Sequence, residues 1–281
     1  HNSLDLVFAV SHRVAEDLAR RYGVPGGKIR TIYNGVEVRD LPSRRTFGEN
    51  GQPFQLLYSG RLSDLDKGVL LLPAILEQVR AGGVHARLTL LGNGPDRDRL
   101  LAEFKRRNIL DFVEAPGNVP LQQVDDHLAG TDCFLLPSRF EGCPNALMEA
   151  MAAGCPCVAA RIRGSVDRII EEGKSGLLAM AGDTKDFAKQ VLALARNPNH
   201  CREIGVQARQ RIADSFTAGH TAEGYAQALH DLSTMPDTRS PALSLGHYLV
   251  PPAMRPTWRM WLPAGLKNLI RKWLERYGIS S

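Results

Sequence analysis

Short apolar runs alternate along this chain with stretches in which apolar residues recur every three to four positions. The first runs lie at 4–10 and 30–36, with a helix expected over 11–22 between them and Ser11 standing where an N-cap belongs. A polar linker containing proline and glycine continues to Pro53. Beyond it the runs at 54–60, 87–92, 112–117, 132–137, 155–160 and 176–179 read as strands. Helices are expected over 67–81, 95–107 and 121–129, from near Asn145, around 165–172, and near 183–196, 199–214 and 218–233.

Strands unbroken by polar alternation belong to a sheet covered on both faces. Repeated strand–helix units of this kind predict an α/β fold, a Rossmann-like parallel sheet with helices on both faces and right-handed crossovers. Ligands of such sheets bind beyond the carboxyl ends of the strands. Functional chemistry is therefore expected in the loops at 59–68, 92–96, 116–120, 137–146 and 160–166. No repeat of 20–50 residues competes with this reading.

Composition narrows the class. With 43% apolar and 23% charged residues the chain is of globular type, and no apolar run approaches the roughly 18 residues of a membrane span. The opening HNSLDLVFAV has neither an initiator Met nor a basic-then-apolar leader, so the expectation is that it begins as a fragment. Residues 1–235 carry 28 Lys and Arg against 28 Asp and Glu, so the net charge of +5 belongs to the last 46 residues. A neutral body argues against nucleic acid as a partner. The tail is Pro-rich after Met235, and at 264–277 apolar Leu266, Leu269, Ile270, Trp273, Leu274 and Tyr277 share a helix face beside Lys267, Arg271, Lys272 and Arg276. Such a helix suits an anionic membrane surface, or packing on another protein face. Five cysteines, two in Cys155-Pro-Cys157, suggest buried thiols in a reducing compartment rather than disulfides or a metal site.

Three loops carry candidate chemistry. SGRLSDLDKGV places Arg61 and Lys67 at a strand exit, where two cations suit a diphosphate, although either alone reads equally as surface charge. LLGNGPDRDRL has Gly92 and Gly94 but lacks the third glycine of a dinucleotide fingerprint, which leaves tight turn and ligand contact both open. FEGCPNALMEAMAAGCPC places Pro144 at a helix start, so the free amides of Asn145 and Ala146 face outward where an anion is favoured. Glu141 precedes that helix and Glu149 lies about one turn into it. A carboxylate accepts two hydroxyl hydrogen bonds, so Glu149 fits a ribose diol and Glu141 the hydroxyls of a sugar; either alone also reads as a helix cap.

The Glu141-x7-Glu149 spacing resembles the signature of retaining GT-B glycosyltransferases of family four. SGRLSDLDKG, LLGNGP, SGLLAMAGD and IYNGV resemble further segments of that family in the same order, over about 30–233. The resemblance implies the C-terminal, donor-binding lobe of a GT-B fold, with the acceptor lobe largely absent. Residues 1–45 would then be the end of the acceptor lobe and the linker, 46–216 the nucleotide-sugar domain, 217–235 a closing helix and 236–281 the tail. The implied activity is sugar transfer, with retention, from a UDP- or GDP-sugar to a glycan or lipid-linked acceptor, in polysaccharide biosynthesis at the cytoplasmic side of a membrane. Arg61, Lys67, Asn145 and Ala146 would hold the diphosphate and Glu149 the ribose. Glu141, as the catalytic residue that orients the sugar, would hold it with Gly142, Cys143 and Pro144. Gly117, Asn118 and Val119 would lie near the base, with no metal or other cofactor.

The segment Arg163-Gly-Ser-Val-Asp departs from the family's Gly-Gly-x-Pro-Glu step, which points to a different donor, and the Arg61–Lys67 spacing is one residue longer than usual. Other readings are a nucleotide-sugar epimerase, or a non-catalytic binding module, as which this half-site would behave in isolation. A phosphorylase would need a pyridoxal-phosphate lysine motif that is not seen. A retaining hydrolase would need carboxyls about 5–5.5 Å apart, which the helix start between these two disfavours.

Overall fold

The computed structural model describes residues 4–41 and 45–234; the expected Pro-rich stretch and basic helix of the tail lie outside the described residues. At the amino end, β1 (Val7–Ala9), α1 (His12–Tyr22) and β2 (Ile29–Thr31) form a small unit whose two strands pair in parallel. Ser11 caps α1, its Oγ accepting from the Val14 amide at 3.3 Å.

The body follows as β3 (Phe54–Ser59), α2 (Asp64–Lys67), α3 (Leu72–Ala81), β4 (Ala86–Leu91), α4 (Arg97–Arg106), β5 (Val113–Gly117), α5 (Leu121–Gly130) and β6 (Cys133–Leu136). It continues with α6 (Asn145–Ala152), β7 (Cys157–Ala160), α7 (Val166–Ile169) and β8 (Leu177–Ala179). The last helices are α8 (Thr184–Ala195), α9 (Pro198–Ser215) and α10 (Ala218–Thr234). Strands β3 to β8 form one parallel sheet in the order β5-β4-β3-β6-β7-β8. The chain builds outward from β3 through β4 to β5, then returns to lay β6 on the other side of β3. That reversal opens a crevice at the carboxyl ends of β3 and β6. Every residue of β6 and β7 is buried, which is why their sequences show no polar alternation.

The structure corrects three expected elements. Only Arg30 and Thr31 of the run at 30–36 are in a sheet, because the following backbone turns to the helices: the Val36 amide donates to Phe216 O at 2.9 Å and Thr221 Oγ1 to Tyr33 O at 2.9 Å. The helix expected around 165–172 is only Val166–Ile169, and Glu172 bridges to Gly176 instead. The helix expected over 67–81 is broken at Gly68, which has φ +61°. A Cβ there would stand 2.3 Å from the Pro137 carbonyl oxygen, so the turn lets the β3 exit loop lie against the end of β6. Lys67 thus ends a single helical turn at the crevice. Among the described residues, no helix is long and apolar enough to cross a membrane.

Gly92 likewise serves packing. At φ +118° its Cβ would lie 2.1 Å from Gly60 O, and Leu62 N bonds Asn93 O at 2.9 Å, so the β4 exit buttresses the β3 exit loop.

Candidate functional site

Two neighbouring cavities, of about 250 and 240 Å³, flank the start of α6 and share Asn145. Arg61, Lys67, Glu141, Cys143, Pro144 and Ala146 also line the first. Arg39, Leu121, Val124, Asp125 and Glu149 also line the second.

In the first cavity the charges are already paired. Lys67 Nζ donates to Glu141 Oε1 at 2.8 Å, and Ser138 Oγ donates to the same oxygen at 2.7 Å. Glu141 is only 5% exposed, and among the described residues its Oε2 has no partner. One oxygen is therefore held and the other is left to accept. Arg61 Nη2 bonds Asp66 Oδ2 at 2.6 Å. Burial raises the Asp66 pKa, but bonds from Ser63 and Arg61 outweigh it and leave the carboxyl below its ordinary range. Beneath the loop, the Tyr58 hydroxyl donates to Arg61 O at 2.8 Å.

Two cations and two carboxylates balance, so the uncompensated positive end is the start of α6. Leu147 N and Met148 N bond the Pro144 carbonyl at 3.1 and 3.2 Å. The amides of Asn145 and Ala146 have no acceptor among the described residues, as the first turn of a helix requires. Asn34 steadies this end, its Nδ2 donating to Asn145 Oδ1 at 2.9 Å, and the Cys143 thiol lies 3.7 Å from Met148 Sδ. Burial pushes that thiol's pKa up, so it stays protonated.

Glu149 follows Asn145 by one turn and reaches the second cavity. Burial raises its pKa, Arg39 opposes the shift and Asp125 adds to it. No hydrogen bond ends on its carboxylate among the described residues. Arg39 is bonded to Asp125 and, through Nε, lies 3.4 Å from Glu37 Oε2.

The structure brings Arg61, Lys67, Glu141, Cys143, Pro144, Asn145 and Ala146 together, with Glu149 next door. Gly142 lines neither cavity, and its carbonyl accepts from Ser165 Oγ at 3.0 Å. Gly117, Asn118 and Val119 also line neither. Gly117 O takes the Gly92 amide at 2.8 Å and Val119 packs on the core, while α5, which follows them, turns Leu121, Val124 and Asp125 onto the second cavity. Sequence reasoning gave no role to Asn34, Arg39, Asp66 or Asp125, and placed Ser138 at the crevice without its bond to Glu141. Asp66 and Ser138 stand one and three residues from Lys67 and Glu141, a spacing that could have exposed them; the others carry no local signal. Four of the five thiols are buried, Cys143 is half-buried and all five are free. Among the described residues no group of three or more His, Cys, Asp or Glu side chains could hold a metal ion.

This six-stranded parallel sheet flanked by helices is the Rossmann-like lobe of GT-B enzymes. Staphylococcus aureus TarM, solved with fondaparinux, alpha-GlcNAc-glycerol and UDP, matches it with a TM-score of 0.72 at 22% identity, over 82% of this chain and 44% of that one. HepE of Anabaena, in complex with UDP-glucose, matches with a TM-score of 0.70 at 20% identity, over 81% and 64%. The family model for glycosyl transferases group 1 matches residues 53–197, and one for glycosyltransferase family 4 matches residues 1–40. The chain belongs to the glycosyl transferases group 1 family. The putative colanic acid biosynthesis glycosyltransferase WcaL of Salmonella typhimurium is 32% identical over 219 residues, covering 75% of this chain and 53% of that protein. N-acetyl-alpha-D-glucosaminyl L-malate synthase of Bacillus anthracis is 28% identical over 234 residues, covering 81% and 60%. The chain thus spans little more than half the length of the curated relatives it matches.

Proposed function

We propose that this chain supplies the donor-binding half of a glycosyltransferase that moves a sugar from a nucleotide-diphosphate donor to a glycan or lipid-linked acceptor, with retention of configuration. The observation that carries this reading is the meeting of Arg61, Lys67 and Glu141 with the free amides of α6 in one cavity at the sheet's point of reversal. On this reading the diphosphate lies between the Arg61–Lys67 loop and the Asn145 and Ala146 amides. As the bond from sugar to diphosphate breaks, negative charge grows on the departing oxygen. Arg61, Lys67 and the helix start meet that charge with donors already in place.

Glu141 Oε2 accepts a hydroxyl of the sugar and orients it, while Cys143 and Pro144 shape the wall beside it. Glu149 accepts the ribose diol in the second cavity, and the base lies toward the start of α5, the helix that follows Gly117–Val119.

Calorimetric titration of the chain with UDP and GDP tests this reading. Binding of at least one is expected, and Glu149→Ala is expected to weaken it about 10- to 100-fold, the loss of hydrogen bonds to a charged group. Absence of binding, or binding that ignores the substitution, contradicts the reading. Glu149 accepts the diol best when ionised, and its pKa is raised. Affinity should therefore fall as pH drops through that raised value, at a higher pH than an ordinary glutamate near 4.3 would give, and Glu149→Gln should flatten this limb.

A further inference from the structure

The second cavity contains a bonded pair of opposite charges that the ribose does not use. Arg39 enters from the segment joining the small amino-terminal unit to the body, and Asp125 from α5; Arg39 Nη1 bonds Asp125 Oδ2. Among the described residues Asp125 Oδ1 and Arg39 Nη2 have no partner. Leu121 and Val124 supply an apolar wall beside them, and Glu149 lies in the same hollow. With Glu37 counted, three carboxylates there face one guanidinium, so the cavity repels phosphate and selects groups that donate hydrogen bonds.

The free edge of an Arg–Asp pair sets a carboxylate acceptor beside guanidinium donors. Guanine answers both: O6 accepts from the guanidinium, while N1–H and the N2 amino group donate to the carboxylate. Uracil has one donor, N3–H, between two carbonyl oxygens, and so turns an oxygen toward the carboxylate where guanine turns an amino group. Adenine has an acceptor, N1, where guanine has its N1–H. We propose that Arg39 and Asp125 read the nucleobase and select guanine, so that the donor is a guanosine diphosphate sugar. This deepens the donor-binding reading and rests on it.

The test titrates the full chain with GDP, UDP, ADP and inosine diphosphate, the last being GDP without the N2 amino group. GDP is expected to bind at least about tenfold more tightly than UDP or ADP, with inosine diphosphate several-fold weaker than GDP. Asp125→Asn, checked for an unchanged melting transition, is expected to bring GDP to within about threefold of UDP. Because inosine diphosphate changes the ligand alone, it probes the carboxylate contact without altering the protein. UDP binding as tightly as GDP, inosine diphosphate matching GDP, or a guanine preference untouched by Asp125→Asn would each overturn the assignment. The donor-site reading would survive those results provided Glu149→Ala still weakened binding. Failure of all four nucleotides to bind would overturn both.

Discussion

Lys67→Ala is expected to lose both stability and nucleotide affinity, and the two losses come from different partners. Lys67 is bonded to Glu141, which is 5% exposed and would keep only Ser138 once the ammonium is gone. Breaking a buried pair by removing one partner costs about 3–5 kcal/mol. Lys67 is itself about a quarter exposed, so water enters the gap and about 2 kcal/mol is expected in chemical denaturation. Loss of the cation should weaken UDP or GDP binding a further 10- to 100-fold relative to the folded protein, through a lost charge-assisted contact. Adding Glu141→Gln removes the stranded carboxylate, so the double substitution should regain most of the stability and none of the affinity. Stability lost without any change in affinity would place Lys67 outside the diphosphate site.

Gly68→Ala should have the other large effect, on the fold at the crevice. The position has φ +61°, which costs an L side chain about 1–2 kcal/mol, and the new methyl would stand 2.3 Å from the Pro137 carbonyl oxygen. Relief of that overlap must push the Lys67 turn away from the β6 exit, adding about 1–3 kcal/mol as overpacking does. The expected outcome is a loss of about 2–5 kcal/mol, with nucleotide binding weakened in the fraction that still folds. A melting temperature within a degree of wild type would show that the two loops are not pressed together as described.

Of the five loops expected to carry chemistry, 59–68 and 137–146 line the first cavity, while 92–96, 116–120 and 160–166 line neither cavity. The alternation of strands and helices was legible because burial on both faces of β6 and β7 leaves a local mark. The spacing of Glu141 and Glu149 was legible for the same reason, since a helix start and one turn lie within nine residues. The break at Gly68 was hidden: its cause is a carbonyl 69 positions away that only the folded sheet brings near. Asn34 on Asn145 and Arg39 on Asp125 join positions 111 and 86 apart, beyond any periodic pattern. Nor does sequence reveal that Arg61 and Lys67 are already paired with Asp66 and Glu141, which leaves the α6 amides as the open positive end of the cavity.

Those amides offer the most direct test of the central claim, that a donor diphosphate docks on the start of α6. Amide-resolved NMR of the chain, titrated with UDP and with GDP, should show the Asn145 and Ala146 N–H signals among the most strongly shifted, in step with saturation by whichever nucleotide binds. Saturable binding that leaves both signals in place while amides far from the β3–β6 crevice move would contradict the account.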